Sequence, residues 1–154
     1  MQKVDSDVAA LEALTRVLVG VAWSSAHAAP AGVTFPQIRL LLVLDALGQV
    51  SSSKLAAALG VNASSVTRLA DKLAARGYLV RGADPHNRSV VTVEVTGSGR
   101  RVVAQVLDRR HAELGALLDR LSTTQRRRAA GAARELVTAA AGAAMVGAAG
   151  PGPL

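Results

Sequence analysis

The chain predicts a mainly α-helical fold with a small β-wing, a winged helix-turn-helix flanked by helices at both ends. Three observations point there. The stretch Leu55–Arg76, LAAALGVNASSVTRLADKLAAR, reads as two short helices joined by a tight turn. A hairpin pattern follows directly, with Asp84-Pro85-His86-Asn87 as turn and Val91, Val93 and Val95 alternating with Thr92 and Glu94. Outside this block, apolar residues recur at steps of three and four, the period of helices with one buried face.

Residues 5–28 read as the first helix. Val4, Val8, Leu11, Leu14, Leu18 and Val21 form one stripe, which Val17 and Trp23 widen. Such a stripe suits either a partner subunit or ordinary core packing. Ala28-Ala29-Pro30-Ala31-Gly32 breaks it. Thr34-Phe35-Pro36-Gln37 is a capping-box pattern, with Pro36 in the first turn, where a missing N–H costs nothing. The helix it opens runs to Leu47 with Ile38, Leu41, Leu42 and Leu44 inward, and Gly48 ends it. Gln49-Val50-Ser51 reads as a short extended segment, and Ser52 or Ser53 as the cap of a helix over 54–59.

Gly60-Val61 is the turn and Asn62 the N-cap of the next helix, which continues to Arg76 and stops at Gly77. Val66, Leu69, Ala70 and Leu73 fall on its inner side. Ser64, Arg68 and Asp71 point the other way, flanked by Ser65, Thr67 and Lys72. In a helix-turn-helix this second helix lies in the DNA major groove. A merely solvated face is the alternative for any one of these residues. Tyr78-Leu79-Val80 is a strand, and Arg81 and Arg88 flank the wing turn, giving a basic tip of the kind that enters a minor groove.

Thr96 is expected to cap a long helix after Gly97-Ser98-Gly99, with Val102, Val103, Val106, Leu107, His111, Leu114, Leu117 and Leu118 as its apolar face. Ser122-Thr123-Thr124-Gln125 is a second capping box, opening a helix to about Met145. Arg126, Arg127 and Arg128 stand in its first turn, against the helix dipole, and read as solvated. The Gly/Pro tail 147–154 is expected to be disordered.

The 154 residues fit a single domain. Half of them are apolar but only Trp23, Phe35 and Tyr78 are aromatic, so the core must close through tightly packed helices. A net charge of +7 suits a polyanionic partner, or simply an Arg-rich surface. The lack of cysteine excludes disulfides, zinc-thiolate sites and thiol redox sensing. His27, His86 and His111 are scattered, so neither metal nor cofactor is expected. Asp5, Asp7, Glu12 and Arg16 interrupt any signal-peptide core. No uninterrupted apolar run of about 20 residues suggests a membrane span. A cytoplasmic location without a membrane partner is the expectation. Nucleophile-elbow, phosphate-loop and His-Glu metal motifs are missing, which argues against an enzyme.

The stretch LGVNASSVTRLADKLAARGYLVR resembles the recognition helix and first wing strand of the multiple antibiotic resistance regulator (MarR) family. Asp84-Pro85-His86-Asn87-Arg88-Ser89 resembles that family's wing motif Asp-Pro-x-Asp-Arg-Arg, and Val95-Thr96-Gly97-Ser98-Gly99 matches its Leu-Thr-x-x-Gly. The likeness covers about residues 8–145 and is most specific over 54–100. Asn87 and Ser89 depart from it, leaving Arg88 as the principal wing cation. The resemblance implies a DNA-binding lobe over 34–96 and dimerisation helices over 5–28 and 97–145. It also implies a homodimer on a pseudo-palindromic operator of double-stranded DNA, usually a repressor released by a small ligand.

On this reading Ser64, Ser65, Thr67 and Arg68 are candidates for base edges. Lys72 and Arg76 are candidates for phosphates, and Arg81 and Arg88 for the wing contact. Trp23, His27 and Arg39 are candidate walls for an aromatic or anionic effector. The rival reading is an architectural winged-helix protein that binds DNA without regulating. An activator rather than a repressor is the further variant.

Overall fold

Leu40, Leu41 and Leu44 are completely buried, and the rest of the fold is arranged around them. In the computed structural model, which describes residues 2–143, the order is α1 (Gln2–Ala26), α2 (Phe35–Leu47), β1 (Val50–Ser51), α3 (Ser52–Leu59), α4 (Ala63–Ala75), β2 (Leu79–Ala83), β3 (Val91–Val95), α5 (Gly97–Leu118) and α6 (Thr123–Ala143). The expected tail at 147–154, and the expected helix end at Met145, lie outside the described residues.

The local signals act where their chemistry places them. Gln37 Oε1 accepts from the Thr34 N–H at 2.7 Å, which fixes the start of α2. Gly48 ends that helix at φ +72°, a conformation costly for any side chain. The cap of α3 is Ser51, not Ser52 or Ser53. Its Oγ accepts from the Lys54 N–H at 3.2 Å, and the helix begins at Ser52. The reason is tertiary: Ser51 leaves a strand pairing with Thr92, so it already has the extended backbone that an N-cap needs. Ser122 and Gln125 exchange both bonds of the second capping box, at 2.9 and 3.3 Å.

The sheet has the order β1-β3-β2 and is antiparallel throughout, with Leu79 opposite Val95 and Arg81 opposite Val93. The expected alternation in β3 holds only at its inner end. Val93 and Val95 are buried, but Val91 is 50% exposed and Thr92 is buried. Val91 lies beyond β1, opposite Ala83 on the projecting wing, where no core remains to cover it. Thr92 is covered by Gln49, whose Nε2 donates to its hydroxyl at 3.2 Å.

One core cluster joins α2, α3, α4, the sheet and the first half of α5, including Ile38, Leu55, Val66, Leu73, Val93 and Val106. The inward stripe of α5 then continues to Arg110 rather than to the expected His111, which is exposed. Arg110 is four residues beyond Val106, on the same helical face, where it meets α1. Its Nε donates to the hydroxyl of fully buried Ser25 at 3.3 Å, and burial pushes the guanidinium pKa down. Leu117, also expected inward, is exposed.

The two terminal helices differ from this lobe. Only the end of α1, through Ala22, Ser25 and Ala26, is buried. Val4, Val8, Leu11, Leu14, Val17 and Leu18 all lie open, from 42% to 64% exposed. Among the described residues none of α6 contributes to the core cluster, and Leu136 and Val137 are exposed. Contrary to the expectation from uninterrupted runs, Val4–Ala26 is long and apolar enough to cross a membrane by length and composition. It carries the ion pair Arg16–Glu12, at 3.4 Å.

Candidate nucleic-acid interface

The presenting element is α4. Gly60 takes the left-handed conformation at φ +65°, which turns the chain sharply out of α3. Asn62 Oδ1 then accepts from the Ser65 N–H and from the Ser64 hydroxyl, both at 2.8 Å. Val66, Ala70 and Leu73 anchor the helix in the core. Ser64, Thr67, Arg68, Asp71 and Lys72 stand exposed on the far side, with Ser65 half-buried at its edge. Thr67 donates its hydroxyl to the Ala63 carbonyl at 3.0 Å. The Ser64 and Thr67 hydroxyl protons are thus occupied within the helix, and their oxygens remain to accept. Among the described residues, the side chains of Arg68 and Lys72 form no hydrogen bond or ion pair. Both line an open groove of about 600 Å³ beside α4, with Pro36, Val61, Ser65 and Leu69.

The wing is held by its own turn. Asp84 Oδ1 accepts from the His86 and Asn87 N–H groups at 2.7 and 3.1 Å. Asn87 Oδ1 in turn accepts from the Ser89 N–H at 3.1 Å, so the amide serves the turn by a neutral hydrogen bond. Arg88 is exposed in this turn and, among the described residues, unengaged. The wing is fixed to α5 by the Thr-x-x-Gly segment. Thr96 Oγ1 donates to the Gly77 carbonyl at 2.6 Å and accepts from the Gly99 N–H at 3.1 Å. A Cβ at residue 99 would collide with the Tyr78 carbonyl and with Val95 Cγ1, so only glycine fits.

Two of the expected DNA cations are engaged elsewhere. Arg81 pairs with Asp71 at 2.7 Å and donates to the Thr67 carbonyl at 3.2 Å. Arg76 donates to the Ala31 carbonyl at 2.9 Å and lies 5.5 Å above the Tyr78 ring. The structure therefore brings Ser64, Ser65, Thr67, Arg68 and Lys72 onto one surface, sets Arg88 on the adjoining wing, and turns Arg76 toward the loop before α2.

Of the expected effector-site residues, Trp23 and His27 share the wall of a cavity of about 280 Å³ with Phe35, Val33 and Ile38. The Trp23 and Phe35 rings lie 5.0 Å apart. Arg39 is half-buried on α2 and is not on that wall. Sequence reasoning missed a polar cluster nearby. Glu113 Oε1 accepts from Arg109 Nε at 2.7 Å and from the Ser24 hydroxyl at 2.8 Å, and these bonds hold its carboxyl below the usual range. The Arg109–Glu113 spacing of four was a readable signal, whereas the partner on α1 was not. Among the described residues no three His, Cys, Asp or Glu side chains come together as metal ligands.

Comparison with known proteins agrees with this fold. The family model described as MarR family matches residues 31–88. The transcriptional repressor MprA of Escherichia coli K12 is 32% identical over 77 residues, 50% of this chain and 44% of that protein. The chain spans between 44% and 62% of the length of the curated relatives it matches. The crystal structure of RV1404 from Mycobacterium tuberculosis superposes with a TM-score of 0.79 at 29% identity, covering 88% of this chain and 93% of that one. A MarR family protein from Bacillus stearothermophilus gives a TM-score of 0.74 at 25% identity, covering 86% and 94%.

Proposed function

We propose that the chain, which is similar to the MarR family over residues 31–88, is a sequence-specific DNA-binding transcriptional regulator, a homodimeric repressor of a pseudo-palindromic operator. The observation that carries the reading is the outer face of α4. A capped helix, anchored by three buried residues, presents unengaged Arg68 and Lys72 beside a wing bearing unengaged Arg88. Arg68 is the donor fork able to take two acceptors of a guanine edge. Ser64, Ser65 and Thr67 offer hydroxyl oxygens to neighbouring bases or phosphates. Lys72 neutralises a phosphate, and Arg88 reaches the minor groove, where negative potential is concentrated.

The dimer is supported by the terminal helices. A 21-residue helix such as α6, with no buried residue on the described part of its surface, gains little stability from its own hydrogen bonds. The open face of α1 offers it and its counterpart an apolar partner surface. A membrane would cover α1 alone and leave α6 unsupported. A second copy covers both and places two α4 helices roughly 34–36 Å apart, on successive major grooves. This reading puts the protein in the cytoplasm with DNA as its partner. It assigns no catalysis, and the relative MprA is a transcriptional repressor.

Release by a small aromatic or anionic ligand fits the cavity at Trp23 and His27, where a ring can stack on the indole. Such a ligand acts by binding better to a dimer whose α4 helices are wrongly spaced. The test of the whole reading is selection of duplexes from a random pool, followed by titration at physiological salt. The selected duplex should bind at least about 10³-fold more tightly than a scrambled one. A ratio near one favours an architectural DNA-binding protein instead.

A further inference from the structure

The reading surface contains a carboxylate. Asp71 stands beside Arg68 on the outer side of α4, 56% exposed, on a face that must approach phosphates. Unneutralised, it would repel them. Arg81 rises from β2 and meets this carboxylate at 2.7 Å through Nη1, while Nη2 donates to the Thr67 carbonyl at 3.2 Å. Thr67 and Asp71 are four residues apart, so one guanidinium spans one turn of the helix. At its other end Arg81 is fixed in the wing ladder opposite Val93, which is buried. A planar fork held at two points by the helix and at its root by the sheet is a rigid link between the two DNA-contacting elements.

Resting on the DNA-binding reading above, we propose that Arg81 is a positioning residue and not a DNA contact. Together with Asp71 and the Thr67 carbonyl it fixes the angle between the reading helix and the wing. That angle sets whether Arg68 in the major groove and Arg88 in the minor groove engage in the same register. It also cancels the one negative charge on the outer face of α4 among the described residues.

The experiment compares Arg81→Ala, Arg81→Lys, Asp71→Asn and the Arg81→Ala/Asp71→Asn double variant. The probes are a duplex selected by the wild-type protein from a random pool and a scrambled duplex, over a series of salt concentrations. Each single variant should lose about tenfold in affinity for the selected duplex, in the range of coupled neighbouring groups, and the double variant should lose no more. For Arg81→Lys and the double variant, which keep the local net charge, affinity for the scrambled duplex and the slope of log affinity against log salt should stay as in the wild type. Arg81→Lys should fail like Arg81→Ala, because an ammonium keeps the charge but not the two-point fork.

The proposal is overturned if Arg81→Lys retains wild-type affinity while Arg81→Ala flattens the salt slope by about 0.9, the mark of one lost phosphate contact. It is equally overturned if Asp71→Asn binds more tightly than the wild type, or if the losses add. Circular dichroism identifies any variant that has lost its fold. A wild-type protein that selects no duplex would instead refute the DNA-binding reading itself, a different result from any of these.

Discussion

The lobe helix α4 and the terminal helix α1 follow the same helical period in sequence but have opposite fates in the single chain. In the lobe the apolar stripes converge, and Leu41, Leu44, Leu55, Val66 and Leu73 are fully buried. In α1 the stripe is equally regular, yet Val8, Leu11, Leu14 and Leu18 face outward. Periodicity therefore marks a face that needs covering without stating what covers it. The lobe is closed by its own residues. The apolar face of α1 is left open in the single chain.

Substitutions on the two sides of this contrast should behave differently. The largest loss of stability is expected inside the lobe. Leu41→Ala leaves a cavity in a fully packed site and should cost about 2–5 kcal/mol, measured by urea unfolding. A loss under about 1 kcal/mol would mean that the lobe is less closed than its burial indicates. On the other side, Leu14→Glu puts a charge on the open face of α1. It should convert the proposed dimer to monomers in sedimentation and remove most affinity for the selected duplex, because one half-site is then bound alone. A variant that remains dimeric with full affinity would place the interface elsewhere.

Smaller effects belong to the reading surface itself. Arg68→Ala should weaken binding to the selected duplex by about 1–3 kcal/mol and relax specificity at one position, with the dimer intact. Arg88→Ala should weaken selected and scrambled duplexes alike and flatten the salt slope by about 0.9, without altering which major-groove bases matter. Loss of base preference in the Arg88 variant would move sequence reading from α4 to the wing.

What was legible in the sequence follows the same division. Signals whose partners lie within one helical turn were read correctly, as at Thr34 with Gln37, Asn62 with Ser65, and Ser122 with Gln125. Each is a local competition for a backbone N–H, settled by residues a few positions apart. Errors arose where a distant strand or helix intervened. Ser51 became the α3 cap because pairing with β3 extended its backbone, and Thr92 was covered by Gln49 from 43 positions away. His111 gave way to Arg110 because α1 supplied Ser25 as a hydrogen-bond partner.

The candidate site shows the same limit. The exposed face of α4 was readable from residue type and period. That Arg81 is tied to Asp71 and Arg76 to Ala31 was not, since both links join side chains to groups outside their own element. A count of cations overstates how many are free to meet DNA.

The central claim is that the outer face of α4 reads sequence through Arg68 in a paired assembly. Its most direct test is a mobility-shift titration of the wild type and Arg68→Ala against selected and scrambled duplexes at physiological salt. The account predicts that the substitution reduces the ratio of selected to scrambled affinity by about tenfold or more, with scrambled binding falling far less. An unchanged ratio would contradict it.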